Sequence, residues 1–231
     1  EQSGTVELWY CSDNGEPSNS WYRPMLNGCK GNLFEGGIRV PAIIEWPAGI
    51  PQPGNTSMNC VTSDMLPTIC DLLDLPLPNR VLDGISLVPL LQGDMKERPH
   101  PICFWRYGAS AEEANGPWMS PESQLGTTPT AGNPATQFMN YRHPVAKTEF
   151  GGDAAIIDGR YKLIVDTTGR HRNPGDVQTP MEGDIALFDL VDDTTETENI
   201  AAAHPELVAK MMKQLRIWEA SVEQSLTGSE Y

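Results

Sequence analysis

Along this chain the apolar residues gather in short runs set between clusters of Gly, Pro, Asn and Asp, a pattern of strands and turns more than of long helices. Residues 5–11 form the first run, a strand that Ser12, Asp13, Asn14 and Gly15 end. Residues 16–37 follow as a polar loop rich in glycine, with Lys30 between Gly28 and Gly31. Residues 40–46 make a second strand, broken by the Pro and Gly of residues 47–54. Thr62, Ser63 and Asp64 offer N-caps to a helix that runs to about residue 75, with Pro67 in its first turn and Pro76 and Pro78 beyond its end. Leu66, Ile69, Leu72 and Leu73 give that helix an apolar stripe, read as core packing. Residues 86–91 form a short buried segment and residues 101–105 another strand.

The second half of the chain reads more sharply. Residues 155–165 are a hairpin, with Asp158 and Gly159 as a tight turn of positive φ between apolar strands. Residues 185–190 add a strand. A last helix starts at Pro205 and runs to residue 224, where Val208, Met211, Leu215, Trp218 and Val222 step by 3, 4, 3 and 4 along one face. That stripe is core, not a cofactor site. Between the strands, residues 106–152 show little periodicity and much Gly, Pro, Ser, Thr and Asn, as a long functional loop or a disordered insertion does.

Composition narrows the function classes. With 16 Lys and Arg against 31 Asp and Glu in 231 residues, the formal charge is −15, which argues against non-specific nucleic-acid binding and against docking on anionic lipid. No apolar run approaches the ~18 residues of a membrane span. The five cysteines include no C-x-x-C pair, so a zinc ribbon or thioredoxin-type site is not expected, and their odd number leaves at least one thiol without a partner in the chain. Asn55, Thr56 and Ser57 form a glycosylation sequon. The opening on a strand, almost without preamble, reads as a piece of a longer protein.

Few residues offer chemistry on their own. Asp13 and Asn14 follow a strand directly, where ligand sites of α/β sheets collect, and they supply the hard oxygen donors that Ca²⁺ or Mg²⁺ prefers. Two residues fill only part of the ~6–8 oxygen positions of Ca²⁺, and Asp-Asn-Gly is also a common turn. Lys30, flanked by glycines, can approach an anion with little steric hindrance. None of the four histidines (His100, His143, His171 and His204) pairs with another at metal spacing. His100 reads as a loop residue and His204 as a helix-start residue. There is no Walker-A or G-x-G-x-x-G sequence and no G-x-S-x-G elbow.

Taken in order, several segments resemble the sulfatase family in its arylsulfatase A-like branch. They are SDNG at 12–15, GCKGNLFEGGIRVP at 28–41, IEWP at 44–47, SDMLPT at 63–68, DGISL at 83–87, PLLQG at 89–93, DGRYKL at 158–163, LFDL at 187–190 and the Glu198–Asn199 pair before the closing helix. The resemblance implies hydrolysis of sulfate esters on an alkaline-phosphatase-like α/β fold. It implies that Asp13 and Asn14 ligate an active-site Ca²⁺, that Lys30 is the catalytic residue contacting the sulfate group, and that Glu35, Gly36, Gly37 and Arg39 shape the turn. The family's formylglycine nucleophile is made from a Cys or Ser in a C-x-P-x-R type motif, and no Cys or Ser here is followed by that pattern, Cys29 included. The chain therefore resembles the C-terminal portion of a sulfatase, with the formylglycine expected in the N-terminal half and no activity expected of this portion alone.

The expected architecture has two parts. Residues 1–97 complete the C-terminal part of the large mixed sheet of the catalytic domain. Residues 98–231 form a small four-stranded antiparallel sheet, built from residues 102–105, 155–158, 161–165 and 185–190, with the last helix packed on it and the long insertion at 106–152. Aromatic residues in and beside that insertion (Trp105, Tyr107, Trp118, Phe138, Tyr141) together with His143 would stack on a sugar ring, so the expected substrate is a sulfated small molecule or carbohydrate. By resemblance alone the compartment is periplasmic, secreted or lysosomal, and exposed apolar surface would favour a homo-oligomer. Two alternatives stand beside this reading: a phosphomonoesterase or phosphodiesterase of the alkaline-phosphatase superfamily, and a non-catalytic binding module whose site has decayed.

Overall fold

The computed structural model describes residues 7–17, 26–50, 52–105, 153–165 and 185–227. The expected insertion at 106–152, together with His143 and His171, lies outside the described residues. Strand β1 (Leu8–Cys11) pairs antiparallel with β2 (Ala42–Glu45), with Trp9 opposite Ile44 and Tyr10 opposite Ile43. The period of two sorts the ribbon into faces: Leu8, Tyr10 and Ile43 are exposed, whereas Trp9 and Ile44 on the other face are half-buried.

The second sheet has four strands in the order β3 (Ile102–Trp105), β4 (Ala154–Asp158), β5 (Tyr161–Val165), β6 (Ile185–Asp189), every neighbour antiparallel. This is the expected sheet. Asp158 pairs with Tyr161, so the hairpin turns on Gly159 and Arg160, one residue later than the sequence suggested. Gly159 takes φ +61°, the positive φ at the first central position that fits the right-handed twist of the strands. Asp158 stays in the strand, where its carboxylate accepts from Lys210 Nζ at 2.8 Å.

Both faces of this sheet are covered, which is why β4 and, apart from Lys162, β5 read as near-continuous apolar runs and not as alternation. On one face Ala155, Ile157, Ile164, Ala186 and Phe188 pack with Leu33, Phe34 and Leu190. On the other, Ala154, Ile156, Leu163, Val165 and Leu187 meet Met211 and Leu215 of the closing helix, α4 (Pro205–Thr227), with Val208 and Trp218 at the margin. The stripe read from the sequence is the face that packs. No helix among the described residues is long and apolar enough to cross a membrane.

Between the two sheets the structure corrects the sequence. A one-turn helix, α1 (Glu35–Ile38), sits inside the expected loop, and another, α3 (Val88–Leu91), inside the short buried segment. Helix α2 (Met65–Leu72), entered through a 3-10 turn at Thr62–Asp64, buries Pro67, Thr68 and Cys70. Its apolar stripe, read as core, faces outward: Leu66 is 49%, Ile69 45% and Leu73 62% exposed.

A polar hub holds the helix by its other side. Asp64 is fully buried; its carboxylate accepts the Val61 and Ile85 amides, each at 2.9 Å, and takes Arg98 in a bidentate pair at 2.7 and 2.8 Å. Thr68 Oγ1 donates to Asp64 O at 2.6 Å and accepts the Leu87 amide at 2.9 Å. Donors left unpaired in the interior would cost more than the apolar contact forgone.

Removing Arg98 strands a buried carboxylate. Arg98→Met is expected to lose about 3–5 kcal/mol of stability, the usual cost of breaking a buried pair. Leu73→Ser is expected to stay within about 0.5 kcal/mol, as exposed positions do. Urea unfolding midpoints check both, and a larger loss at Leu73 than at Arg98 would restore the stripe to the core.

Candidate anion and cation site

β1 delivers its last residues into the turn at 12–15. Ser12 Oγ donates to Asn14 O at 3.0 Å, and Asn14 Nδ2 donates to Asp13 Oδ2. Asp13 is exposed and Asn14 half-buried. Among the described residues no cationic side chain pairs with Asp13, and no cluster of three or more His, Cys, Asp or Glu is placed to hold a metal ion. The pair therefore offers two hard oxygen donors and nothing further from this chain's described part.

Lys30 is exposed in a turn whose flanking glycines both take positive φ, +77° at Gly28 and +91° at Gly31. Asn32 closes the turn: its Oδ1 accepts the Cys29 amide at 2.9 Å and its own amide donates to Cys29 O at 2.9 Å. The Lys30 amide donates to Glu16 O at 2.7 Å, which ties this turn to the segment just past Asp13 and Asn14.

The two segments are assembled on α1. The Gly36 amide donates to Asn27 O at 2.6 Å, and the Gly15 amide to Gly37 O at 2.9 Å. No side chain fits where the three backbones meet. A Cβ on Gly36 would lie 2.5 Å from both Asn27 O and Gly28 O, and one on Gly37 would lie 2.3 Å from Asn32 O. This is the physical content of the Glu35-Gly36-Gly37 sequence. The shaping role expected of those residues corresponds to this packing.

Glu35, at the start of α1, is buried and bonded across the molecule. Lys162 Nζ of β5 lies 3.0 Å from Glu35 Oε1 and 2.8 Å from Glu196 Oε1, and the Glu35 amide donates to Glu196 Oε2 at 2.6 Å. Lys162 and Glu196 are fully buried. Arg39 stands more loosely, 3.7 Å from Glu35 Oε2. One ammonium faces two carboxylates, and burial dominates over its attraction: the Glu196 carboxyl is pushed up to about 7. Sequence reading missed Glu196 and Arg98 as organising residues, named Asp64 only as one of three N-cap candidates, and took Lys162 only as part of a motif. The one signal for Lys162 was a charge inside an apolar strand.

No disulfide joins any of the five cysteines. Burial, then Asp83, Glu219 and Asp158, pushes Cys103 up to about 12, and burial followed by Asp64 raises Cys60, so neither is a thiolate at neutral pH. His100 and His204 are both exposed, away from Lys30 in the sequence and bonded to nothing at the site.

The comparisons bear on what such a site serves. No protein-family model matches the chain. It is 38% identical over 117 residues to arylsulfatase A of Bos taurus, a match covering 49% of this chain and 22% of that protein. It is 28% identical over 234 residues to arylsulfatase A of Homo sapiens, covering 94% of this chain and 38% of that protein. The chain thus spans about two-fifths or less of the length of these relatives. Among solved structures, Ps i-CgsB in complex with k-i-k-neocarrahexaose matches at a TM-score of 0.63 with 20% identity, over 96% of this chain and 41% of that one. A structure in complex with its substrate D-glucosamine-2-N,6-O-disulfate matches at 0.54 with 17% identity, over 93% and 34%. The phosphonate monoester hydrolase of Agrobacterium radiobacter matches at 0.50 with 23% identity, over 92% and 35%.

The buried cluster sets a pH dependence. In the folded chain Glu196 keeps its proton up to about pH 7, and in the unfolded chain it loses it near the ordinary value of 4.5. Between these the folded state binds more protons, so this stability is complete below the ordinary value and is lost as pH rises through about 7. Asp189, drawn down by its hydrogen bond from Arg160, acts only on the acid side of this window. The melting temperature is expected to fall between about pH 4.5 and 7, and Glu196→Gln to flatten that slope. A wild-type melting temperature constant over this range would show that burial does not govern Glu196.

Proposed function

Since the chain is related to the sulfatases and has their alkaline-phosphatase-like fold, we propose that it is the part of a sulfate-ester hydrolase that grips the anion: Lys30 binds the sulfate group, and Asp13 and Asn14 ligate a divalent cation beside it. One observation carries the reading. The Lys30 amide on Glu16 O, at 2.7 Å, and the Gly15 amide on Gly37 O, at 2.9 Å, tie the end of β1 and the lysine turn into one cluster of loops.

The chemistry follows from the groups. Asp13 and Asn14 fit a hard cation such as Ca²⁺, because both present oxygen and Asp13 has no competing ion pair among the described residues. Such a cation, when bound, supplies positive charge against sulfate oxygens. The Lys30 ammonium neutralises an oxygen of the sulfate or the leaving group, on a long stem in a turn that glycines keep open. Losing a donor of this kind costs about 10²–10³ in rate. The attacking group is no residue of this chain, since no Cys or Ser here stands in a C-x-P-x-R type motif. In this reading another part of the intact enzyme would hold the formylglycine, which would supply the nucleophile.

Sulfated carbohydrate is the substrate class we favour, because fold relatives were solved with a neocarrahexaose and with a disulfated glucosamine. The likeness to a phosphonate monoester hydrolase gives a second reading, a phosphoryl substrate on the same loops. The division at residue 97 is likewise our reading, with Lys30 on the catalytic-domain side. Titrating the full chain with inorganic sulfate by calorimetry, with and without Ca²⁺, tests the site. Lys30→Ala is expected to weaken sulfate binding at least about tenfold, the value of one hydrogen bond to a charged group, with the melting temperature unchanged. Asp13→Ala is expected to abolish the effect of Ca²⁺. Unchanged sulfate affinity in Lys30→Ala overturns the assignment, and tighter binding of phenylphosphonate than of phenyl sulfate selects the phosphoryl reading.

A further inference from the structure

Lys162 lies 127 positions along the chain from Glu35 and touches neither Asp13, Asn14 nor Lys30. A buried ammonium is costly, so its place needs a reason. The hydrogen bonds supply one. Lys162 holds the Glu35 and Glu196 carboxylates at 3.0 and 2.8 Å. Glu196 in turn accepts the Glu35 amide, and its backbone carbonyl accepts Asn27 Nδ2 at 3.4 Å. Both ends of the segment that carries Lys30 are therefore fastened to the same residue, Glu196: Asn27 just before the turn to its carbonyl, and Glu35 just after it to its carboxylate.

Glu196 pays a local strain to be there, since it takes φ +53°, a conformation few residues other than glycine adopt. From α1 the tie passes onward by backbone bonds, from Gly36 to Asn27 and from Gly15 to Gly37. Each step is a close backbone approach with no room for a side chain. An apolar residue at position 162 would satisfy the sheet, where neighbours Leu163 and Ile164 are fully buried. It would leave the loop segment to the packing of Leu33 and Phe34 and to the Glu196 bonds with Asn27 and the Glu35 amide, without the ammonium that joins the two carboxylates.

We infer that Lys162, through Glu35 and Glu196, is a positioning residue that sets the place of the Lys30 turn and of the Gly15 segment beside it. The inference rests on the reading of Lys30 as the anion-binding group. It goes beyond that reading by placing control of the site in the second sheet.

Amide hydrogen exchange on the full chain, read residue by residue at fixed pH, tests it alongside inorganic sulfate titration. In Lys162→Met the amides of Gly15, Lys30 and Gly36 are expected to exchange roughly tenfold faster or more, while those of β4, β5 and β6 keep wild-type protection. Sulfate affinity falls with them. Glu35→Gln, made in the chain that retains Lys162 and so keeping an acceptor for it, is expected to hold protection within about twofold of wild type. If Lys162→Met alone does not fold, the triple variant Lys162→Met, Glu35→Gln, Glu196→Gln leaves no charge in this buried cluster and is read at the same amides, where faster exchange is again expected. Unchanged exchange at Lys30, or exchange raised equally across the sheet, overturns the positioning role. If Lys30→Ala leaves sulfate binding intact while Lys162→Met loosens the turn, positioning stands and the anion reading falls. If Lys30→Ala abolishes binding while the turn stays protected in Lys162→Met, the reverse holds.

Discussion

A single buried ammonium organises this chain. Lys162 sits in the middle of a sheet covered on both faces, where a charge has no water to turn to. It is tolerated because two carboxylates come to it, one from α1 and one from the segment after β6. Those partners are what joins the loop cluster beside β1 and β2 to the four-stranded sheet. Apolar contact between Leu33, Phe34 and the sheet supplies the adhesion, while the charge cluster supplies the register. A hydrophobic face can slide by a residue at modest cost, whereas an ammonium bonded at 2.8 and 3.0 Å to two acceptors cannot.

The excess of acid in that cluster is informative. A neutral pair would need one carboxylate, yet two are present, and burial keeps one of them near half-protonation at neutral pH. The second carboxylate does a job the first does not: Glu196 receives the Glu35 amide, the first amide of a one-turn helix that has no side-chain cap of its own. The same logic recurs at Asp64, which is simultaneously partner to Arg98 and acceptor for the Val61 and Ile85 amides. In both places an acidic side chain ends up buried because it satisfies backbone groups that irregular segments leave unpaired. This chain is rich in such segments, as its many glycines and prolines imply.

What the sequence made legible follows from this division. The hairpin at Gly159, the strands β3 to β6 and the face of α4 were all readable, because each is fixed by local periodicity or a turn residue. Even there the turn fell one residue late: Asp158 pairs with Tyr161 inside the ladder, and its carboxylate meets Lys210, which only the fold brings near. The stripe on α2 misled because periodicity reports which face is apolar and not which face is covered; Asp64 and Thr68 decided that by polar contact. α1 was read as loop because two of its four residues are glycines, poor helix formers that are here required by backbone contact. For the candidate site, Asp13, Asn14 and Lys30 were legible as types of chemistry, while Glu196 was silent, being one acid among several in an exposed-looking run.

The distribution of roles between the two sheets has a consequence for how such a site tolerates change. The residues we propose as ligand-binding, Asp13 and Lys30, are exposed and carry little of the fold. Residues that set their place, Glu35, Lys162 and Glu196, are buried and would carry much of it. A site arranged in this way separates recognition from support: the exposed groups are free to vary with the anion they meet, provided the buried ones hold the backbone that presents them. The glycines at 15, 36 and 37 are the hinge between the two sets, because they convert a charge cluster under one sheet into a fixed backbone course beside the other. Specificity can then be altered at the rim without rebuilding the core, which is the arrangement expected where loops on a rigid scaffold carry function.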